Sequence, residues 1–331
     1  MDTPAAGCLP PVFVERVLED PGLVRQLVER HGPYAPVQRY FGSVAEYEAS
    51  SGRGSAGGRM IVAPNFRGDW AYDEALVDGI EPILHHEGFA AAAARLFGSD
   101  RVRPQIVYAN LTWQLPFDQG AGHTDVPAFR GVDRTRYPIW LLKAMGDSLL
   151  FEKERIQIAT AVAWFYEGED GGFTYWPEGP DAPPRVHEGR IHNTAFVGDN
   201  DRMFHRVRPV GALERGMLSD LTLESRLARR PDGGWQIEDE NRVRAELPFE
   251  ALRISVSWKA LVFRDANEER RVAEGTQDIS LEQVVDRLCA DLDSRGTPAE
   301  RPGDPVRDPE FVRRLDAAYG RSPSIFEAGA A

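Results

Sequence analysis

The stretch Gly120-Ala-Gly-His-Thr-Asp125 contains the residues that most narrow the fold and chemistry of this chain. On a β-strand, residues i and i+2 project to the same face, so the side chains of His123 and Asp125 can reach one point. A second histidine, His205, follows Asp125 by 80 residues in a strand-like apolar and basic run. Two imidazoles and one carboxylate can occupy one face of an octahedral metal ion. The pattern therefore predicts a β-strand metal site with three open positions.

Three further segments have the patterns of a β core around this site. Residues Ala161–Tyr166 form an apolar run of the length of a buried strand. The glycine pair Gly171-Gly172 that follows it predicts a hairpin turn into a second strand. Residues Leu252–Trp258 alternate strictly between apolar and polar positions, which predicts one strand face that carries Arg253, Ser255 and Ser257.

With these motifs the chain resembles the 2-oxoglutarate/Fe(II)-dependent dioxygenase superfamily. The resemblance spans about residues 105–263 and rests on four segments: His123-Thr-Asp125, Asp170-Gly-Gly172 with the following Phe-Thr-Tyr-Trp-Pro177, Phe204-His-Arg-Val207, and Arg253-Ile-Ser255. It implies an all-β core with helical additions (α+β). The core would be a double-stranded β-helix, the jelly roll that cupins also have, flanked by N-terminal and C-terminal helices.

The resemblance also implies a cofactor set and the residues that bind it. His123, Asp125 and His205 would bind Fe(II), and O2 would be the oxidant. Arg253 would pair with the far carboxylate of the cosubstrate 2-oxoglutarate, with Ser255 beside it. A guanidinium suits this role because it can donate two parallel hydrogen bonds to a carboxylate.

The position of the arginine departs from the usual pattern. In much of the superfamily the arginine follows the second histidine by about the length of one strand, whereas Arg253 lies 48 residues beyond His205. Residues 213–250 would then be an insertion, and its charged, glycine-containing middle predicts an exposed hairpin. Arg208 and Arg215 are the competing candidates. We favour Arg253 because it has the alternation and the serine partner.

The implied reaction is hydroxylation of an unactivated C–H bond, with 2-oxoglutarate converted to succinate and CO2. Related halogenases replace the metal-binding carboxylate by a small residue, so Asp125 favours hydroxylation or an allied oxidation. We expect a small amino-acid-like or natural-product substrate. Arg130, Arg134 and Arg136 form a local positive patch, which would suit an anionic group on that substrate, such as a carboxylate. The alternative is a solvated surface patch. The candidate substrate-binding residues are Asn110, Gln114, Phe129, Arg130 and Trp176.

A second class of protein fits the same metal-binding residues. A cupin-like metalloprotein without 2-oxoglutarate would be an isomerase, a direct dioxygenase or a ligand-binding module. The arginine discriminates the two, since only the first class needs a cation that faces the metal. Among the other histidines His192 is the leading substitute ligand, and we expect the rest to be structural: His31, His85, His86 and His187.

Composition limits the partners and the compartment. The net charge of −13 argues against nucleic-acid phosphate or an anionic membrane as a partner, because both would be repelled. The two cysteines, Cys8 and Cys289, form no disulfide framework, which favours a reducing cytoplasm. The N-terminus has no signal-peptide pattern, and no apolar run has the length of a membrane span. We expect a monomer or a homodimer.

The expected organisation is one compact unit with three regions. Residues 1–100 would form an N-terminal helical support, residues 101–265 the catalytic core, and residues 266–331 a C-terminal helical tail. Two insertions interrupt the core, a helical one near residues 137–157 and the hairpin of residues 213–250.

The support helices are predicted from apolar spacing. Residues Val12–Arg30 indicate one or two amphipathic helices, and residues Glu74–Phe97 indicate a helix that packs on the outer face of the main sheet. Residues Val102–Gln114 alternate as a strand that leads toward the metal site.

Overall fold

Fifteen strands and seven helices occur in the residues that the computed structural model describes, which are 8–40, 61–117, 122–240, 242–298 and 300–320. The strands are β1 (Val12–Glu15), β2 (Ala35–Pro36), β3 (Asn65–Tyr72), β4 (Glu74–Ala75), β5 (Val102–Thr112), β6 (Ala128–Phe129), β7 (Arg155–Trp164), β8 (Phe173–Trp176), β9 (Arg185–His187), β10 (Thr194–Gly198), β11 (Phe204–Val207), β12 (Arg226–Arg229), β13 (Trp235–Asp239), β14 (Arg242–Leu247) and β15 (Arg253–Val262). The helices are α1 (Gly22–Arg30), α2 (Glu81–Leu84), α3 (Glu87–Phe97), α4 (Ile139–Ser148), α5 (Ala266–Glu274), α6 (Leu281–Ser294) and α7 (Pro309–Tyr319).

Strand β15 lies near the centre of the main sheet, and both of its faces are buried. The order of the sheet is β1-β10-β7-β15-β5-β3-β2, and its neighbouring strands are antiparallel. The apolar face of β15 packs under the helices: the Trp258 ring lies 5.5 Å from that of Phe89 on α3, and its Nε1 donates to the Leu84 carbonyl at 2.8 Å. The polar side chains of β15, of which Arg253 is the first, project from the opposite face of the sheet.

A small sheet in the order β11-β8-β9 packs against the main sheet through aromatic side chains. The Phe173 ring on β8 lies 5.0 Å from that of Phe196 on β10 and 5.8 Å from that of Trp164 on β7. The chain alternates between the two sheets, since β7, β10 and β15 belong to the main sheet and β8, β9 and β11 to the small one. The hairpin predicted at Gly171-Gly172 is therefore wrong. The turn passes from one sheet to the other, and β7 and β8 are not paired.

The predicted insertion of residues 213–250 contains a third sheet, β12-β13-β14. Its first turn is the expected exposed hairpin, closed by a hydrogen bond of 2.7 Å from the Arg230 N–H to the Gly234 carbonyl. The other side of this sheet is not exposed. Trp235 and Ile237 are fully buried and join the core beneath the main sheet, where the Trp235 ring stacks 6.2 Å from that of Tyr34.

The N-terminal region is less helical than predicted. Residues Val12–Glu15 form a strand at the edge of the main sheet, as their β-branched and aromatic residues favour, and helix α1 begins only after Pro21. Residues Glu74–Phe97 contain strand β4 and two helices in place of one, because Pro82 fits only in the first turn of a helix. Residues 8–40 and 61–100 thus supply four strands as well as helices.

The helical insertion near residues 137–157 is shorter than predicted. Helix α4 ends at Ser148, where Leu149 takes a left-handed conformation, and β7 has begun by Arg155. The helices expected in the C-terminal tail are present, and α4 packs with α6 and α7 in a second apolar cluster. Within the described ranges, no helix combines the length and apolarity that crossing a membrane requires. The division into three regions stays a prediction.

Candidate metal and cosubstrate site

His123 and His205 lie on directly paired backbone segments. The N–H of each residue donates to the carbonyl of the other at 2.9 Å, so the segment of His123 lies beside β11. The Asp125 N–H donates to the Asn200 carbonyl at 2.7 Å, which holds the carboxylate end of the motif. One ligand atom from each of His123, Asp125 and His205 lies within 4.8 Å of the others. The structure therefore brings together the three residues predicted as metal ligands.

Hydrogen bonding fixes one imidazole of the site, and burial keeps the other neutral. Nδ1 of His205 lies 2.9 Å from the Met203 carbonyl, and because a carbonyl only accepts, this nitrogen carries the proton. Nε2 of His205, the other ring nitrogen, lies 3.7 Å from Oδ1 of Asp125. Nδ1 of His123 is buried without a hydrogen-bond partner among the described residues. Burial, with the neighbouring His205, lowers the pKa of His123 to about 3, so its ring is neutral at physiological pH.

Asp125 is held in its charged form by a lysine that the sequence reasoning missed. Burial by itself would raise the pKa of Asp125, but Lys259 and His205 hold it well below its usual range. The Lys259 ammonium lies 2.7 Å from Oδ2 of Asp125, and the Thr160 hydroxyl donates to the same oxygen at 3.3 Å. Lys259 continues the alternation of Arg253, Ser255 and Ser257 by one more step along β15, and that signal was available in the sequence.

A second lysine, half-buried and also missed, comes from helix α4. The Lys143 ammonium donates to the Thr124 carbonyl at 2.7 Å and lies 3.1 Å from the Thr124 hydroxyl. Thr124 is the residue between His123 and Asp125 in the chain. Burial lowers the pKa of Lys143, and the carboxylates of Asp147 and Asp125 partly offset that effect. The donor set of two imidazoles and one carboxylate fits Fe(II), and the side chains of Lys143 and Lys259 lie beside it.

Arg253 lies in the same cavity with part of its guanidinium unpartnered. Its side chain is buried, its Nε donates to the Gly171 carbonyl at 2.6 Å, and its Nη1 lies 3.1 Å from the Ser255 hydroxyl. Its Nη2 is buried without a hydrogen-bond partner among the described residues. Burial lowers the pKa of Arg253, with Tyr166 and Asp170 acting in the opposite direction. An Arg–Ser pair with one free donor edge can take a carboxylate.

The glycine at position 171 makes room for this arginine. A Cβ on Gly171 would lie 2.5 Å from Cδ and 2.7 Å from Nε of Arg253, and the φ of Gly171 is +65°. Both the space and the backbone conformation therefore require glycine there. Gly171, which was predicted to form a hairpin turn, instead lets Arg253 approach closely enough for the Gly171 carbonyl to orient its guanidinium.

The competing residues lie elsewhere. Arg208 pairs with Glu188 at 3.3 Å, and Arg215 is exposed in a short 3-10 helix; neither lines the cavity. His192, the leading substitute ligand, lies 3.7 Å from Glu167 and also outside the cavity.

The remaining histidines lie outside the cavity as well. His86 caps helix α3 by accepting from the Phe89 N–H, and Nε2 of His31 lies 3.1 Å from the Asp78 carbonyl. The His187 ring packs 5.1 Å from those of Phe13 and Trp164.

The cavity around these groups has a volume of about 710 Å³ and brings together three of the five predicted substrate residues, Asn110, Phe129 and Arg130. Gln114 is not one of them. It lies beyond the end of β5 with a φ of +50°, and its amide donates to the Ala212 and Gly216 carbonyls. Trp176 does not line the cavity either, because its ring packs beside Gly122 and under the Arg206 guanidinium. Gln114 and Trp176, which were predicted to bind substrate, therefore lie outside the cavity wall.

Comparisons with known proteins give only distant similarities. No protein-family model matches the chain, and no curated protein sequence matches it. A prolyl-4-hydroxylase structure from Pseudomonas putida is similar at 11% identity and a TM-score of 0.33, over 78% of this chain and 94% of that one. HygX from Streptomyces hygroscopicus, with nickel, 2-oxoglutarate and hygromycin B bound, is similar at 9% identity and a TM-score of 0.36, over 77% and 84%. The nickel complex of the non-heme monooxygenase ThoJ is similar at 13% identity and a TM-score of 0.35, over 93% and 92%. Similarities of this size are too weak to carry an argument about activity.

Proposed function

We propose that this protein is a 2-oxoglutarate- and Fe(II)-dependent oxygenase that hydroxylates a C–H bond of a small molecule. One observation carries the proposal. The same cavity holds the clustered ligand atoms of His123, Asp125 and His205 and, on its wall, the buried guanidinium of Arg253 with an unpartnered nitrogen. A metal site and a carboxylate site in one cavity are what this cofactor pair requires.

The strand connections support the same proposal. The chain passes repeatedly between a main sheet and a small sheet that pack together through their aromatic residues. We infer that the two sheets form a double-stranded β-helix, in which His123 and β11 belong to the small sheet and β15 to the main one. The metal ligands then lie on one sheet, and Arg253 reaches the same space from the other.

Each polar group of the site has a role in this reaction. His123 and His205 would bind the metal as neutral donors, and Asp125 would bind through Oδ1, because its Oδ2 is engaged by Lys259 and Thr160. Nη2 of Arg253, with the Ser255 hydroxyl beside it, would bind the far carboxylate of 2-oxoglutarate. When bound, Fe(II), 2-oxoglutarate and O2 supply the oxidation, in which one oxygen atom enters the substrate C–H bond and the other enters succinate as CO2 is released.

The cavity volume and lining support a small substrate. A volume of about 710 Å³ lies in the range of pockets that enclose small ligands. Asn110, Phe129 and Arg130 lie on its wall and are the substrate contacts that we propose. An amino-acid-like molecule or a natural product of similar size would fit.

The position of Arg253 favours this proposal over a cupin-like metalloprotein that has no cosubstrate. A buried guanidinium with a free donor is unfavourable unless a ligand satisfies it. The neighbouring Tyr166 ring and Gly171 carbonyl leave Nη2 unsatisfied, so a carboxylate-bearing cosubstrate accounts for the arrangement.

The test is anaerobic addition of Fe(II) and 2-oxoglutarate to purified protein, with the visible metal-to-ligand charge-transfer band as the readout. We expect a band in the wild type and none in His205→Ala. In Arg253→Ala, the band should require much more 2-oxoglutarate. Arg208→Ala is the matched control, because Arg208 lies outside the cavity and should leave the titration unchanged.

Two results would count against the proposal in different ways. A wild type that binds iron but gives no band with 2-oxoglutarate would leave the cupin-like alternative in front. A band that depends on His205 but not on Arg253 would keep the metal site and reject the proposed cosubstrate residue.

A further inference from the structure

The charges on the cavity wall have the opposite sign to the charge of the whole protein. Among the described residues that line the cavity, eight are cationic and four carry carboxylates, a difference of four positive charges in a chain of net charge −13. The cations are Arg67, Arg103, Arg130, Arg134, Arg136, Lys143, Arg253 and Lys259, and the carboxylates are Asp73, Asp125, Asp133 and Asp278. Fe(II) and doubly charged 2-oxoglutarate cancel each other, so the positive excess remains for the substrate.

Arg67 is a largely buried cation on this wall that the proposed metal and cosubstrate sites do not use. Its side chain is only 11% exposed, and its guanidinium lies 3.4 Å from the ring centroid of Tyr108 and 4.9 Å from that of Tyr40. Its Nε is buried without a hydrogen-bond partner among the described residues. The carboxylate of Asp69 lies 3.6 Å from that Nε, too far for a hydrogen bond, and it accepts from the Tyr40 hydroxyl at 2.6 Å.

The strand register separates Arg67 from the proposed cosubstrate residue. Arg67 on β3 lies opposite Asn110 on β5, which lies opposite Ser255 on β15, whereas Arg253 lies opposite Thr112. The Cα atoms of Arg67 and Arg253 are thus two strand spacings apart across the sheet, roughly 10 Å, and one two-residue step apart along it, roughly 7 Å. Two anionic groups can therefore occupy the cavity at once, one at each arginine.

The other cations are less suited to this role. Arg130 already donates to the Lys153 carbonyl at 2.8 Å, and Lys259 is paired with Asp125 at 2.7 Å. Lys143 donates to Thr124 at 2.7 Å. The Nε of Arg103 and of Arg130 also lacks a hydrogen-bond partner among the described residues, but two aromatic rings lie against Arg67 and one against Arg103. Although Arg67 is ion-paired with Asp69 at 3.6 Å, its Nε makes no hydrogen bond to a described residue, and such a guanidinium can bind a carboxylate or phosphate.

We propose that Arg67, whose guanidinium lies over the rings of Tyr40 and Tyr108, and its cross-strand neighbour Asn110 form an anion subsite for a carboxylate or phosphate group of the substrate. The subsite is occupied while 2-oxoglutarate is bound at Arg253, and this assignment rests on the proposed function. The substrate is therefore an anionic small molecule whose charged group lies on the β3–β5 side of the cavity, and the C–H bond to be oxidised lies between that group and the metal.

The experiment uses anaerobic calorimetry on the full chain saturated with Fe(II) and 2-oxoglutarate. The probes are phenylacetate, phenyl phosphate and the neutral phenylacetamide. We expect at least one of the two anions to bind roughly tenfold or more tightly than the amide, because charged partners strengthen hydrogen bonds by that order. The preferred anion identifies the substrate group. A further increase in 2-oxoglutarate should not weaken the binding; if it does, the probe occupies the Arg253 site and the subsite is rejected.

Variants then assign the preference to Arg67. Arg67→Gln and Asn110→Ala should each reduce the preference for the anion, and Arg67→Gln should remove it. Arg208→Gln, which changes the same charge outside the cavity, should retain it. The charge-transfer band with 2-oxoglutarate must persist in every variant used, which shows that the protein is folded and the proposed function intact. Equal binding of anion and amide by wild type that shows the band would overturn the subsite alone, as would an equal loss in Arg208→Gln.

Discussion

Replacement of Gly171 by alanine tests how the fold positions Arg253. The added Cβ would lie 2.5 Å from Cδ and 2.7 Å from Nε of Arg253, and also 3.0 Å from the side chain of Val210. Arg253 cannot easily yield, because it is buried and its Nε is bound to the Gly171 carbonyl itself. We therefore expect the guanidinium to leave its position while the three metal ligands remain in place.

The magnitude has two separable parts. The φ of Gly171 is +65°, and a left-handed conformation costs a residue with a Cβ about 1–2 kcal/mol of stability. Displacement of the guanidinium removes charge-assisted hydrogen bonds worth about 1.5–3 kcal/mol from cosubstrate binding. The dissociation constant for 2-oxoglutarate should therefore rise about 10- to 150-fold.

The assay is titration of the anaerobic Fe(II) protein with 2-oxoglutarate, alongside thermal unfolding. Gly98→Ala is the matched control, since Gly98 has a φ of +68° and a Cβ there would meet nothing within 4 Å. The control should lose a similar amount of stability and keep its affinity for 2-oxoglutarate. Unchanged affinity in Gly171→Ala, or an equal loss in Gly98→Ala, would refute the reasoning.

Three further predictions concern the buried charges. Lys259→Met leaves the carboxylate of Asp125 without its ammonium partner and should destabilise the metal-free protein by about 3–5 kcal/mol. Bound Zn(II) should restore much of the lost stability, and equal losses of Tm with and without Zn(II) would contradict the prediction. The pKa of His123 is lowered to about 3, so the metal-free protein should lose stability as the pH falls from about 6.5 toward 3, by up to about 1.4 kcal/mol per pH unit. Urea unfolding at several pH values should show a shallower slope for His123→Gln, and an identical slope would rule this out. Burial and the neighbouring Asp201 raise the pKa of Asp199 to about 9. Above about pH 4 the unfolded chain releases this proton while the folded protein keeps it, so Asp199 lowers the free energy of unfolding more and more as the pH rises. Asp199→Asn should then raise Tm at neutral pH and have little effect near pH 4, and a lower Tm at neutral pH would contradict the prediction.

The sequence alone was sufficient for the local geometry of the site. A period of two places Arg253, Ser255 and Ser257 together on β15. The strand predicted for His123 and Asp125 is wrong, because His123 forms only an isolated bridge with His205 and Asp125 lies outside the strands, yet the ligand atoms of the two residues still converge. The resemblance named His205 as the second histidine and left His192 as the substitute. The structure pairs His205 directly with His123.

The same rule failed where a residue leaves the strand. Gln114 shares the periodicity of Asn110, but β5 ends at Thr112 and the backbone turns, so its amide binds carbonyls outside the cavity. Trp176 lies on a strand whose neighbours in space could not be deduced from the chain order. The length of a strand and its pairing depend on contacts with distant segments, which local alternation does not encode.

Only the tertiary structure decided how the charges converge. Lys143 comes from helix α4 and Arg67 from β3, and nothing in their local sequence distinguishes them from solvated surface cations. The alternation of β15 assigns Lys259 to the face of Arg253, but only the tertiary structure shows that its ammonium meets Asp125. The role of Gly171 likewise became visible only when Arg253 was seen against its backbone. Periodicity determines which face a side chain takes on its own strand, whereas strand order and sheet packing determine what that face meets.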